Sequence, residues 1–217
     1  MTAKTVFIIA LFICLGFVLI PSSKLKTYRT KRNFANTPEP QGNSMATKSS
    51  KHPIFVIQKH NASHLHYDFR LEIDGALKSW AIPKGPSTDP HDKRLAMETE
   101  DHPMSYADFE GIIPEGNYGA GSVIVWDNGT FKNIKEKDGK IIPLAKCYKN
   151  GQIEVTLHGK KLQGGYALIR TSGDDKKKWL LIKMRDEYAD ARRNPVSSQP
   201  ESVLSGKTNK DFESKKK

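Results

Sequence analysis

A strict two-residue alternation from His66 to Ile73 constrains this chain more than any other stretch. His66, Asp68, Arg70 and Glu72 fall on one parity; Tyr67, Phe69, Leu71 and Ile73 fall on the other. A period of two builds a strand with one polar and one apolar face. Asp74-Gly75 follows at once, the strongest short signal for a tight hairpin. The polar face therefore carries an imidazole, a carboxylate and a guanidinium in a row. The first two are metal ligands and the third suits phosphate. His60 sits just upstream, close enough for a short loop to bring it back as a third ligand. Against this stands a plainer alternative, the solvated polar face of an antiparallel sheet. His64 breaks the alternating set and is left out of the site.

The rest of the chain reads as short strands separated by frequent turn signals. Strands are expected over Pro53–Gln58, His66–Ile73, Ala76–Ile82, Arg94–Thr99, Ser122–Asp127, Thr130–Ile134, Gln152–His158, Tyr166–Thr171 and Trp179–Arg185. Asn128-Gly129 reads as a turn between the fifth and sixth of these, and Lys135–Lys140 as a charged loop. Helical turns are expected near Tyr106–Phe109 and Pro143–Tyr148. The fold class is thus mainly β: a compact antiparallel β-barrel or sandwich with a few short helices. A barrel offers a mouth in which inward-pointing polar residues can form a site.

Domain organisation follows from composition. Residues 1–23 form a hydrophobic leader, apolar from Val6 to Ile20. It is short for a spanning helix, and signal peptide, uncleaved anchor and mis-assigned start all remain open. Residues 24–51 read as a basic extended N-terminal arm, 52–191 as the barrel, and 192–217 as a disordered Lys-rich tail. The formal net charge of +11 favours an anionic partner, nucleic acid or membrane surface. Cys14 and Cys147 make no disulfide framework, which favours a reducing compartment for the folded part.

A second reactive set lies downstream: Lys84 between Pro83 and Gly85, Arg94 opening a strand, and Glu100, His102 and Tyr106 in the turn after it. With this set in view the sequence resembles the 3′-phosphoesterase domain of bacterial DNA ligase D and its stand-alone relatives. The resemblance rests on His60–Glu72, on Leu77-Lys78-Ser79-Trp80-Ala81-Ile82-Pro83-Lys84-Gly85-Pro86, and on Arg94-Leu95-Ala96. It continues through Thr99-Glu100-Asp101-His102-Pro103, Tyr106, Phe109-Glu110-Gly111, Ile113–Gly121, Trp126-Asp127-Asn128-Gly129, Leu157–Gly164 and Trp179–Lys183. It covers about Tyr28 to Ala191.

The resemblance implies a compact β-barrel and a manganese-dependent enzyme, with other divalent transition metals as options. Such an enzyme removes a 3′-terminal ribonucleoside by a phosphodiesterase step and then the 3′-phosphate by a phosphomonoesterase step. The substrate would be the 3′ end of a DNA or DNA/RNA primer-template, healed before sealing in non-homologous end joining. Partners implied are a separate DNA ligase, a polymerase and Ku, with the enzyme itself a monomer. The folded domain would be cytoplasmic and nucleoid-associated, while the leader leaves anchoring or export open. The metal is expected on His60, His66 and Asp68. Arg70, Lys84, Arg94, His102 and Tyr106 are expected around the scissile phosphate, with Glu100 an essential carboxylate. Catalytic work falls to Arg70, Glu100, His102 and Tyr106: His102 for transition-state stabilisation or general acid, Tyr106 as a donor to the phosphate. Arg32 and Glu39 match functional positions of the arm. Asn33 stands where the family usually has Asp, which bears on the diesterase step. Two rival classes are a non-catalytic nucleic-acid-binding barrel and a facial-triad metal oxygenase.

Overall fold

The hairpin about Asp74-Gly75 seeds the sheet. In the computed structural model, which describes residues 23–42 and 52–214, β1 (Ile54–Asn61) pairs with β2 (Leu65–Ile73), and β2 with β3 (Ala76–Ile82). Asp74 and Gly75 both take positive φ, 53° and 76°, as a tight hairpin turn requires. The chain continues through β4 (Lys93–Glu98), β5 (Gly111–Ile113), β6 (Gly121–Asn133), the small β7–β8 hairpin (Glu136–Lys137, Lys140–Ile141), β9 (Gln152–Gly159), β10 (Gln163–Arg170) and β11 (Lys178–Lys183). Neighbours run β1-β2-β3-β4-β11-β10-β9-β6, and β6 pairs back onto β1, closing an eight-stranded antiparallel barrel. Strand β5 adds to β6 alone. Helices are few and short: α1 (Lys26–Thr30), α2 (Leu144–Asn150), α3 (Pro195–Ser198) and α4 (Asn209–Glu213), with a 3-10 turn over Met104–Asp108.

Alternation decides which side chains fill the barrel. Phe55, Ile57, Tyr67, Phe69, Leu71, Trp80, Ile82, Trp126, Leu157, Leu168, Trp179 and Leu181 form one buried cluster drawn from all around the wall. An eight-stranded barrel has an interior just wide enough for side chains, and these aromatics occupy it. The opposite parity of β1, β3 and β6 (Val56, Leu77, Val123, Val125) packs outward into a second cluster with Tyr28, Tyr106 and Phe109. The sheet near β1–β3 is therefore buried on both faces, and nearly all of β2 is inaccessible.

Four expectations are corrected. Asn128-Gly129 is no turn: β6 runs unbroken for 13 residues. Gly129 stands across from Gly159, so close that a Cβ there would meet the His158 carbonyl oxygen at 2.1 Å. The glycine serves close approach of two strands rather than a reversal. The charged loop at Lys135–Lys140 contains the β7–β8 hairpin. The arm is not extended: its described part folds through α1 back onto the barrel, with Tyr28 wholly buried and its hydroxyl donating to the Pro40 carbonyl at 2.5 Å.

The tail, fourth, is ordered through Ser214. Its polar composition gives it no core of its own, so it borrows the barrel's. The β1–β6 register slips by one residue at Trp126, and the tail covers that region. Trp126 Nε1 donates to the Gln199 carbonyl at 2.7 Å, Val203 N donates to the Val125 carbonyl at 2.9 Å, and the Asn209 amide donates to the Ser122 carbonyl at 2.9 Å. The leader from Val6 to Ile20, arm residues 43–51 and Lys215–Lys217 lie outside the described residues. Among those described, no helix is long and apolar enough to cross a membrane.

The Gly129–Gly159 crossing gives the first prediction. Gly129→Ala drives a methyl into backbone and should destabilise the protein by about 1–3 kcal/mol, read as a lower urea midpoint at unchanged slope; a wild-type midpoint would mean the strands pass further apart.

Candidate functional site

Register brings the polar parity together on the outside of the wall. Across β1 and β2, His60 pairs with His66, Gln58 with Asp68 and Val56 with Arg70; across β2 and β3, Arg70 pairs with Ser79 and Asp68 with Ala81. Since Tyr67, Phe69 and Leu71 point into the barrel, His66, Asp68 and Arg70 point out. The site is thus on the outer face, not in the barrel's mouth as expected: the aromatics leave the interior no room. His60 also needs no loop to return, because β1 continues past Gln58 to Asn61.

His60, His66 and Asp68 each present one ligand atom, all within 4.8 Å of one another. His60 Nδ1 lies 3.6 Å from Asp68 Oδ2, and His66 Nε2 lies 3.8 Å from Asp68 Oδ1. The far nitrogens are both occupied. His60 Nε2 donates to the Gly119 carbonyl at 2.8 Å, and His66 Nδ1 donates to the His64 carbonyl at 2.9 Å. Those bonds fix both tautomers, so the remaining lone pairs face the carboxylate. Backbone carbonyls in this role are the usual outer support of metal-bound histidines. Gly119 has φ of 77°, a conformation that glycine adopts without penalty. Asp68 is buried, which favours its neutral form, yet Arg70, His60 and His66 outweigh burial and hold its carboxyl well below the usual carboxylate range. Two imidazoles and an ionised carboxylate are a donor set that fits a divalent transition metal.

Arg70 is buried behind this set. Its Nε donates to Gln58 Oε1 at 2.8 Å, Nη1 to Ser79 Oγ at 2.8 Å and Nη2 to Asp68 Oδ2 at 3.1 Å. Gln58 is in turn fixed by donating to the Tyr106 and Phe109 carbonyls, both at 3.0 Å. His102 lies beside Arg70, with Nδ1 2.9 Å from the Glu100 carbonyl and 3.0 Å from Arg70 Nη1. Its Nε2 is 3.3 Å from Arg32 Nη2. Placing the proton on Nδ1 satisfies the Glu100 carbonyl and leaves Nε2 to accept from Arg32. Burial first, then the Arg70 and Arg32 charges, lower the His102 pKa well below its ordinary value, so the ring is neutral.

The folded arm roofs this face. Arg32 Nε donates to Glu39 Oε1 at 2.8 Å and Nη1 to Glu100 Oε1 at 3.0 Å. Thr37 and Tyr106 hydroxyls both donate to Glu39 at 2.9 Å. Burial and then Glu39 push the Tyr106 hydroxyl well above its usual pKa, so it remains a donor. In this structure that donor serves Glu39. Glu100 also accepts from Lys31 at 2.9 Å; although burial raises its pKa, Lys31 and Arg32 bring it below the ordinary value. Arg32, His60, His66, Asp68, Arg70, Glu100, His102 and Tyr106 thus line one cavity of about 300 Å³.

Lys84 and Arg94 are not brought into it. They line a separate cavity of about 300 Å³, where Arg94 Nη2 donates to Asp92 at 2.7 Å. Arg94 shares the parity of Ala96, which joins the barrel interior, so alternation sends it away from the outer face. Asn33 is exposed, its side-chain oxygen accepting from Ala35 N at 3.2 Å. Gln58, Ser79 and Gly119 were missed by sequence reasoning. The first two carry a signal in retrospect: uncharged polar residues on the same outward parity as the site.

Comparison with known proteins is consistent with this geometry. Residues 58–170 match a family model described as the DNA ligase D 3′-phosphoesterase domain. The chain is 47% identical over 194 residues to the multifunctional non-homologous end joining protein LigD of Pseudomonas aeruginosa, covering 87% of this chain and 22% of that protein. The LigD of Mycolicibacterium smegmatis is 44% identical over 166 residues, 76% of this chain and 21% of the relative. A Mycobacterium tuberculosis LigD is 43% identical over 76% of this chain and 20% of its own length. The chain therefore spans about a fifth of the length of these relatives.

The neutral His102 gives a prediction with a definite sign. Its folded pKa lies below the ordinary 6.5, so acid protonates the unfolded ring first and favours unfolding. In chelator, stability should fall as pH drops from about 6.5 towards the folded value, by at most about 1.4 kcal/mol per pH unit. His102→Asn should flatten that slope in urea titrations between pH 7 and 5; an unchanged slope would assign the titration elsewhere.

Proposed function

Because this chain belongs to the DNA ligase D 3′-phosphoesterase domain family, we propose that it is a metal-dependent enzyme that heals DNA 3′ ends. It removes a 3′-terminal ribonucleoside, leaving a 3′-phosphate, and then removes that phosphate to leave a 3′-hydroxyl. One observation carries this reading: a cavity that joins a three-residue ligand cluster to two buried guanidiniums, Arg32 and Arg70. A facial-triad oxygenase has no use for that pair, and a passive DNA-binding barrel has no use for the ligand cluster.

His60, His66 and Asp68 would hold the ion, manganese by family resemblance, which supplies Lewis-acid polarisation of a phosphate oxygen. Arg70 uses three of its five N–H groups on Gln58, Ser79 and Asp68, leaving two for phosphoryl oxygens. Arg32 faces the same space from the roof, and its bonds to Glu39 and Glu100 fix its orientation. His102 sits neutral between the two guanidiniums. An arriving phosphate offsets the charges that depress its pKa, so the ring can take up a proton and pass it to the leaving oxygen. In the monoesterase step the bond from phosphorus to the 3′ oxygen breaks, water oxygen joins phosphorus keeping one of its protons, the 3′ oxygen gains the His102 proton, and the water's other proton leaves to solvent. Glu39, Glu100 and Tyr106 act through Arg32 rather than on the phosphate. Lys84 and Arg94, in their separate cavity, keep a role at the phosphate only by family resemblance. The reading also carries the implied context: a monomer in the nucleoid-associated cytoplasm, working ahead of a ligase, a polymerase and Ku.

The test pairs a primer-template ending in one ribonucleotide with an all-DNA strand ending in 3′-phosphate. Both should be processed with manganese, and chelator or His60→Ala should abolish both; turnover indifferent to chelator would end the reading. Arg70→Ala should lower kcat on the 3′-phosphate about 10²–10³-fold, measured by phosphate release. Asn33→Asp, which restores the family's carboxylate, should raise ribonucleoside removal relative to phosphate removal.

A further inference from the structure

The last helix of the tail, α4 (Asn209–Glu213), buries only Asn209, and none of its residues joins either apolar cluster. Hydrogen bonds hold it to the barrel instead, and they converge on one place, the end of β1 and the start of β6. The Asn209 amide donates to the Lys59 carbonyl at 3.2 Å and to the Ser122 carbonyl at 2.9 Å, so one side chain bridges the two strands. One helical turn on, Glu213 Oε1 accepts from Asn61 Nδ2 and from Ser122 Oγ, both at 2.7 Å. The helix is itself held down. The Thr208 backbone N–H and hydroxyl both donate to Asp211 Oδ2 at 2.7 Å, and upstream the Lys161 ammonium donates to the Gln199 and Glu201 carbonyls.

The same place carries a residue of the ligand cluster. His60 is the penultimate residue of β1, between Lys59 and Asn61. It stands across from Val123 on β6, and Asn61 stands across from Ser122. The strands approach so closely here that a Cβ on Gly121 would lie 2.2 Å from the Asn61 carbonyl oxygen. Just ahead of β6, the Gly119 carbonyl accepts from His60 Nε2 at 2.8 Å. The end of β1 thus brings the imidazole, and the approach to β6 brings the group that orients it. Strand ends open at lower cost than strand middles. The bonds from α4 to both chain neighbours of His60, the Lys59 carbonyl and the Asn61 amide, oppose that opening.

We propose that Asn209 and Glu213 are positioning residues for the metal centre. By locking the ends of β1 and β6, α4 holds His60 Nδ1 toward Asp68, 3.6 Å away. This rests on the phosphoesterase reading and adds to it a control on ion affinity from a helix that lies outside the site cavity. Without the lock the barrel still folds, but ion binding must also order His60, and affinity falls.

The experiment measures manganese binding to the full chain directly, from the electron paramagnetic resonance signal of the free ion. Asn209→Ala and Glu213→Ala should each raise the Kd about tenfold. Glu213→Gln, whose amide oxygen still accepts from Asn61 and Ser122, should return it to near the wild-type value. On the 3′-phosphate strand each Ala variant should need about tenfold more manganese for half-maximal rate, yet reach the wild-type kcat at saturation. Ile153→Val, in the barrel interior on β9, is the control for general loosening: it should lower Tm with no change in Kd. Melts in chelator verify that each variant is folded. Wild-type affinity in both Ala variants, a Glu213→Gln variant no better than Glu213→Ala, or the same loss of affinity in Ile153→Val would overturn the lock and leave the phosphoesterase reading intact. A wild type that binds no manganese would overturn both.

Discussion

A guanidinium sealed under protein must be neutralised and hydrogen-bonded, and Arg70 sets that condition for the whole site. Burying an ion unpaired costs several kcal/mol. Here Asp68 supplies the opposite charge, and Gln58 and Ser79 accept two further N–H groups. The carboxylate that neutralises Arg70 is also the one that faces His60 and His66. The Arg70 half and the histidine half of the site are thus tied through a single side chain. Gln58 and Ser79 flank that pair from β1 and β3, so three adjacent strands hold one cluster rigidly.

The roof completes the electrostatics. Among the buried groups, Arg32 and Arg70 face Asp68, Glu39 and Glu100, while His102 stays neutral. Lys31, at the rim, adds a third cation on Glu100, so the three carboxylates and the three cations balance one another. The arm is held folded by the same groups: Tyr28 is buried beneath it and Arg32 bonds Glu39 and Glu100.

How much of this was legible in the chain differs residue by residue. The parity of His66, Asp68 and Arg70 and the turn at Asp74-Gly75 were plain, because both are local backbone facts. That Arg94 lies in a cavity apart from the site was not legible, because strand neighbours in space, not in sequence, decide which parity faces inward; Arg94 shares the parity of Ala96, which joins the barrel interior. Asn128-Gly129 carries a strong turn signal, yet a crossing with Gly159 had first claim on the glycine. The tail looked disordered because its own composition cannot form a core, and the exposed backbone of β6 that it covers lies some 80 residues earlier in the chain.

Local order alone thus settled that the chain is β-rich, that His66, Asp68 and Arg70 share one strand face, and that a tight hairpin follows. Spacing and backbone preference act over a few residues, and those features need no more. Which face of the closed wall is wet, that Arg32 and Glu39 come down from the arm onto His102 and Tyr106, and that Gln58 and Ser79 secure Arg70 emerged only once the barrel was closed. Those contacts join residues tens of positions apart, and barrel closure, by filling the interior with aromatics, left the polar face no place but the outside, under a roof.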